Sequence, residues 1–449
     1  MDPVAFAADL WNVLTYIPPF LVVLAVVVFV HEFGHYIVGR WCGIHAETFS
    51  IGFGKVIWSR VDSRGTCWQV AVLPLGGFVK FVGDMDPASA GQRDADELSE
   101  EERAVAFHTA PVGRRAATVA AGPVANFLLS IIVFAALALV VGKPSDVPVI
   151  GAVAEDAPAD LGFVPGDRVL EVDGTTVASY RDLRRELFAT DGAPTPARLE
   201  RDGEIIDVMV HYSMPPVVTQ IEPGDPASRA GILPGDRIVA INGRPVLSFY
   251  GLVIIMAEVP TDRDLTVTVE RAGATRDFSL TPALVTREDP ITGERRPLPT
   301  LGVGLSNSDI SPTFEAAGPV EALEAGVTRT WEIIAGTVVF FGDMIFADAD
   351  LSNIGGPIRI AEMAGDQADR GMLEFIHLIA VLSTAIGLLN LFPIPVLDGG
   401  HLMFYGIEAV RGRPVGGAAI KVGTVIGLSL VLSLMVFATY NDLTRVLAG

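Results

Sequence analysis

The chain has 449 residues, half of them hydrophobic, and carries 53 Asp and Glu against 32 Lys and Arg for a formal net charge of -21. So high an apolar share at this length excludes an ordinary soluble protein and implies several buried spans joined to water-soluble material. The negative balance, with no basic stripe to neutralise phosphates, excludes nucleic acid as a partner.

Residues 1–30 hold neither Lys nor Arg, so the basic start of a secretory signal is missing, and no small-residue cleavage site follows. The first apolar segment, Ile17 to Val38, is therefore expected as a retained transmembrane helix. Within it lies His31-Glu32-Phe33-Gly34-His35. Histidines four apart share one helix face, so both imidazoles can reach one zinc ion, and the adjacent glutamate can act on an attacking water. Ionisable residues at membrane depth are costly and are kept mainly for function. A chance match in a helix with an interfacial histidine pair is the competing reading.

Cys42 and Cys67 follow the first span, too far apart and too few for a disulfide framework, and read as free thiols in a reducing compartment. Further spans are expected over Ala116 to Val141, Phe375 to Phe392 and Val422 to Ala438. Arg40, Lys55, Arg60, Arg64, Arg114 and Arg115 lie between the first two spans, and Arg411, Arg413 and Lys421 between the last two. The positive-inside rule makes both loops cytoplasmic. Both termini and the region from Lys143 to about Leu373 are then outside. The acidic run Asp94 to Glu102 reads as a solvated surface loop.

The external region contains a repeat. Leu161-Gly162-Phe163-Val164-Pro165-Gly166-Asp167-Arg168 returns 69 positions later as Ala230-Gly231-Ile232-Leu233-Pro234-Gly235-Asp236-Arg237. Each copy continues into a short alternating strand and an Asp173-Gly174 or Asn242-Gly243 hairpin turn. Two copies at so long a period imply tandem domains, 143–213 and 214–285, rather than a solenoid. The pattern resembles PDZ domains attached to bacterial proteases, which take up a peptide as an added strand. Two β-rich spacers that bind nothing are the alternative. Residues 286–370 read as a linker with juxtamembrane helices. Apolar Val327, Trp331, Ile334, Val338 and Phe341 mark a helix either lying on the outer membrane surface or packed on the repeats.

A catalytic zinc needs a third protein ligand. In the run Asn390-Leu391-Phe392-Pro393-Ile394-Pro395-Val396-Leu397-Asp398-Gly399-Gly400, two prolines interrupt the helix and place a carboxylate at membrane depth. Asp398 alone reads equally as a helix cap; beside His31 and His35 it reads as the third ligand. His45, His108, His211, His377 and His401 lack ligand spacing; His401, close to Asp398 in sequence, reads as a bystander, with support of Asp398 as the alternative.

These motifs together resemble the site-2 protease family of intramembrane zinc metalloproteases. Gly122-Pro123-Val124-Ala125-Asn126-Phe127 in the second span and Leu75-Gly76-Gly77-Phe78-Val79-Lys80, similar to the family's membrane-associated β-loop, extend the likeness over nearly the whole chain. The resemblance implies a polytopic α-helical membrane protein: four transmembrane helices, a membrane-associated β-loop and two tandem extracytoplasmic PDZ-like α+β domains. It implies one Zn2+ per chain held by His31, His35 and Asp398, with Glu32 as general base and acid and Asn390 orienting substrate or steadying the oxyanion. Substrate contacts are expected at Gly76, Gly77, Phe78, Val79, Asn126, Pro393 and Pro395. It further implies a bacterial inner-membrane enzyme, in contact with lipid. Its partners would be single-span proteins such as anti-sigma factors, trimmed beforehand by a site-1-type protease and screened by the PDZ-like pair. A membrane-anchored scaffold would have no need of the four polar residues together, and a metal transporter would need more spans and a repeat inside the membrane.

Overall fold

The structure, a computed structural model, describes residues 3–83, 98–154, 157, 161–190, 192–212, 216–221, 225–260, 263–271, 273–288, 295–305, 310–346 and 355–448. The N-terminal part runs α1 (Pro3–Trp41), β1 (Ala46–Val61), β2 (Cys67–Phe81), α2 (Glu100–Val105) and α3 (Val112–Val141). The first repeat copy holds β3 (Lys143–Pro144), β4 (Ile150–Val153), β5 (Arg168–Val172), β6 (Thr175–Thr176), α4 (Tyr180–Ala189), β7 (Thr195–Arg201) and β8 (Glu204–Val210). The second holds β9 (Val218–Ile221), α5 (Pro226–Ala230), β10 (Arg237–Ile241), β11 (Arg244–Pro245), α6 (Phe249–Glu258), β12 (Leu265–Arg271) and β13 (Ala274–Leu280). There follow β14 (Ala283–Glu288), β15 (Arg295–Thr300), β16 (Val303–Leu305), β17 (Ile310–Pro312) and β18 (Phe314–Glu315). The chain closes with α7 (Pro319–Phe346), α8 (Pro357–Arg370), α9 (Met372–Asn390), α10 (Asp398–Arg411) and α11 (Gly417–Ala448).

Two compact units result: a helical one, residues 1–140, 317–347 and 354–446, and a β-rich one built chiefly from 141–316. In the helical unit Thr15–Trp41, Val112–Val141, Met372–Asn390 and Gly417–Thr444 are long and apolar enough to cross a membrane. The third stops at Asn390, two residues short of the expected Phe392. Pro393 and Pro395 cannot continue its hydrogen-bond ladder, so the chain turns irregularly before restarting as α10. Gly399 and Gly400 fit this turn because a Cβ on either would lie 2.2 Å from the Leu391 carbonyl oxygen or 2.4 Å from that of Ile394. α7 packs on the helices. A Cβ on Gly326 would meet the Ile131 carbonyl of α3 at 2.4 Å, and Phe341 meets Phe392 edge-on, while Val327, Trp331 and Val338 stay exposed.

β1 and β2 form one curled hairpin. Phe49 lies between Val79 and Trp68, and Ser50 between Phe78 and Gln69, which leaves Gly77 to Phe81 at a sheet edge among the described residues. Tyr36, Phe49, Val79, Phe81, Phe107 and Val119 are buried together and fix the hairpin against α1 and α3. Of the acidic run, residues 94–97 lie outside the described residues; Glu100–Glu102 open α2, where Ser99 and Glu102 form a capping box. Cys42 and Cys67 are free thiols.

In the β-rich unit each repeat copy folds alike, as antiparallel sheets β6-β5-β7-β8 and β11-β10-β12-β13. The hairpin turns have positive φ at both central residues, Asp173 and Gly174 or Asn242 and Gly243, as a type I′ turn requires. Buried Asp167 pairs with Arg201 at 2.7 Å and Asp236 with Arg271 at 2.6 Å. The segment after the repeats folds back on them: β16 pairs with β9, β17 with β4 and β18 with β3.

Candidate metal centre

The apolar face of α1 brings His31 and His35 one turn apart, with their Nε2 atoms 3.2 Å from each other. Asp398 enters from the first turn of α10, where the helix dipole favours a carboxylate. Its Oδ2 lies 3.1 Å from His31 Nε2 and 3.5 Å from His35 Nε2. Yet this oxygen is buried and makes no hydrogen bond of acceptable geometry. Two imidazole nitrogens and a carboxylate oxygen, crowded within 4.8 Å of one another and left unsatisfied, are a donor set that suits Zn2+ with one position free.

α3 backs the pair of histidines. The carbonyl of Thr118 accepts from His35 Nδ1 at 2.9 Å, and the Asn126 amide lies 3.3 Å from His31 Nδ1. Gly122, one turn from each, lets α3 approach. A Cβ there would stand 2.3 Å from His35 Nε2 and 2.9 Å from His31 Cε1. Ser383 Oγ donates to the Asn126 carbonyl at 2.9 Å, and Ser130 Oγ lies 2.8 Å from the Ala380 carbonyl, so hydroxyls fasten α3 to α9. α10 is tied to α3 by Arg115, 2.6 Å from Glu408 and stacked over Tyr405.

Glu32 points toward the hairpin edge. Its carboxylate accepts from the Val79 N–H, and its Cγ would be 3.1 Å from a Cβ on Gly77. Gly76 abuts the Phe53 ring, and Phe78 stacks with Phe53 at 6.1 Å. Asn390 is half-buried in the last turn of α9. Pro393 is exposed, and Pro395 packs against α11, where a Cβ on Gly427 would overlap its carbonyl. Asn126, expected as a substrate contact, is wholly buried with its amide on His31. The His401 and Tyr405 rings lie tilted to each other, 6.5 Å apart.

Sequence reasoning missed Thr118 and the Arg115–Glu408 tie. Thr118 contributes a backbone carbonyl, which any residue would supply. The tie joins positions 293 apart, and no local pattern marks it.

The profile of peptidase family M50 matches residues 19–434. A Rhizobium meliloti protein named as a zinc metalloprotease is 38% identical, covering 95% of this chain and 96% of its own length. An Agrobacterium fabrum protein of like name is also 38% identical over 96% of both chains. The regulator of sigma-E protease RseP of Salmonella typhimurium is 33% identical, covering 97% of this chain and 99% of its own. Matched over nearly all its length, the chain belongs to peptidase family M50, the zinc-dependent site-2 proteases.

Proposed function

We propose that this metalloprotease cuts within the membrane-spanning segment of single-span proteins, anti-sigma factors among them, after an upstream protease has trimmed their outer part. The observation that carries the reading is the convergence of His31, His35 and Asp398 from two separate apolar segments, with Glu32 beside them. The regulatory name of the Salmonella relative supports the substrate class.

In this reading His31, His35 and Asp398 would hold Zn2+, which when bound would supply Lewis-acid polarisation of the scissile carbonyl and lower the pKa of water toward neutrality. Glu32 takes a proton from the attacking water and returns it to the leaving nitrogen. Asn390 steadies the negative charge that develops on the scissile carbonyl oxygen. A helical peptide bond is shielded by its own hydrogen bonds, so the substrate must first be unwound. The sheet edge from Gly77 to Phe81, next to Glu32, suits an unwound segment laid down as an added strand. Pro393, exposed in the irregular turn after α9, is assigned to substrate contact together with Pro395.

We read the enzyme as a bacterial inner-membrane protein with the first and third inter-span loops cytoplasmic and the repeats outside, a reading that the four apolar helices and the loop arginines support. The repeats are assigned as PDZ-like domains that screen substrates. The test is Glu32→Gln in the full chain. It is expected to retain zinc and to lose roughly 100-fold or more in cleavage of a model single-span substrate. Full turnover by that variant would remove Glu32 from the chemistry.

A further inference from the structure

Two histidines meet α3 in different ways. At His35 the partner is the Thr118 carbonyl, which can only accept, so Nδ1 carries the proton and Nε2 keeps its lone pair for a metal. At His31 the partner is the Asn126 amide, which can donate or accept. With Nδ2 toward His31 Nδ1, the Asn126 oxygen is left buried without a partner. That orientation also asks His31 Nδ1 to accept, which puts the proton on Nε2, the atom 3.1 Å from Asp398. A half-turn of the amide removes the tautomer conflict at His31 and gives the Asn126 oxygen a partner, with the NH2 group taking the place the oxygen held. The His31 Nδ1–H then donates to Asn126 Oδ1, and Nε2 is bare.

We infer that Asn126 is the positioning residue that sets the metal-binding tautomer of His31, not a substrate contact. Thr118, Gly122 and Asn126 stand four apart on one face of α3, so a single helix face fixes both imidazoles: a carbonyl for His35, an amide oxygen for His31 and no side chain between them. The amide is immobilised by burial, and Ser383 holds the backbone carbonyl of the same residue. Partners on the far nitrogen of a ligating histidine orient the ring and raise its basicity, and losing one typically weakens metal binding roughly 10- to 100-fold.

The inference rests on His31 being a zinc ligand. The test uses the full chain in detergent, with Zn2+ alone as the probe and a competing chelator to read affinity. Asn126→Leu keeps the size and loses the acceptor; Asn126→Asp keeps an acceptor oxygen and loses the amide nitrogen. The leucine variant is expected to bind zinc roughly 10- to 100-fold more weakly, and the aspartate variant to stay near the wild type. Nitrogen-15 spectra of histidine-labelled, zinc-loaded wild type are expected to show His31 protonated at Nδ1, a readout that does not depend on either variant folding. Zinc affinity unchanged in the leucine variant, or equal losses in both variants, would overturn the assignment. So would His31 protonated at Nε2, or a raised KM with unaltered zinc affinity, as a substrate contact would give. A wild type that binds no zinc would instead overturn the metal reading on which this one stands.

Discussion

Gly122 shows how closely the centre is fitted at the level of single residues. One methyl group at this position would stand 2.3 Å from His35 Nε2, the atom assigned to the metal. Gly122→Ala is expected to leave the helix content unchanged, since alanine favours helix, and to cut peptide cleavage about 100-fold through misplacement of the ligands. Unaltered cleavage by that variant would mean that α3 does not set the imidazole positions. The candidate ligands were legible in the sequence because His31, His35 and Asp398 are ionisable groups in apolar surroundings, where side chains of that kind need a reason. Gly122 and Asn126 were legible only as part of a run. What they do depends on which helix crosses behind the histidines, and spacing along one segment does not carry that information.

At the level of elements, the prolines and turn residues were the readable parts. Asp173-Gly174 and Asn242-Gly243 marked hairpins that the structure contains, because positive φ at both positions has few chemical solutions. Pro393 and Pro395 announced a break, yet the third span ends at Asn390, before the first proline: Leu391 caps the helix, and a proline disfavours the helical region for the residue directly ahead of it, here Phe392. The return strands β16 to β18 were not legible. They are two or three residues long and take their order from partners far back in the chain. The repeated buried pair offers a test of the sheet itself. Arg271 beside Asp236, with the Leu233 N–H, holds the Asp236 carboxyl below its ordinary value. A carboxyl depressed in the folded state stabilises at pH above its unfolded value, about 4, and loses that contribution as pH falls through the folded value. Amide exchange through β10, β12 and β13 is therefore expected to quicken below about pH 4 relative to an Asp236→Asn variant, which should show little such dependence. At neutral pH the variant is expected to exchange roughly tenfold faster or more, for want of the charged partner. Parallel pH profiles in the two proteins would remove the pair from the stability of this sheet.

For the whole molecule, the pairing of β3 with β18 marks where the β-rich unit can be removed. Lys143 pairs with Glu315, and the Ser145 N–H donates to the Thr313 carbonyl, so the two chain ends of that unit lie side by side. A cut at the end of the second repeat, near Leu284, would strand β16 and β17 without their partners. Excision between Ser145 and Thr313 is expected to keep zinc and cleavage while admitting substrates that have not been trimmed. Loss of all cleavage by the excised enzyme in detergent would contradict a screening role for the repeats. Under the expected outcome α1, α3, the broken helix and the hairpin, which bring His31, His35, Thr118, Asn126, Asp398 and the Val79 N–H together, suffice for the chemistry without the β-rich unit.

The most direct measurement is X-ray absorption at the zinc edge on the full-length protein, beside Asp398→Ala. The expected spectrum shows only nitrogen and oxygen neighbours at about 2.0–2.2 Å, with two imidazoles among them, and a lost oxygen neighbour or lost zinc in the variant. A sulfur neighbour at about 2.3 Å, from Cys42 or Cys67, or a zinc environment untouched by the Asp398 substitution, would contradict the account.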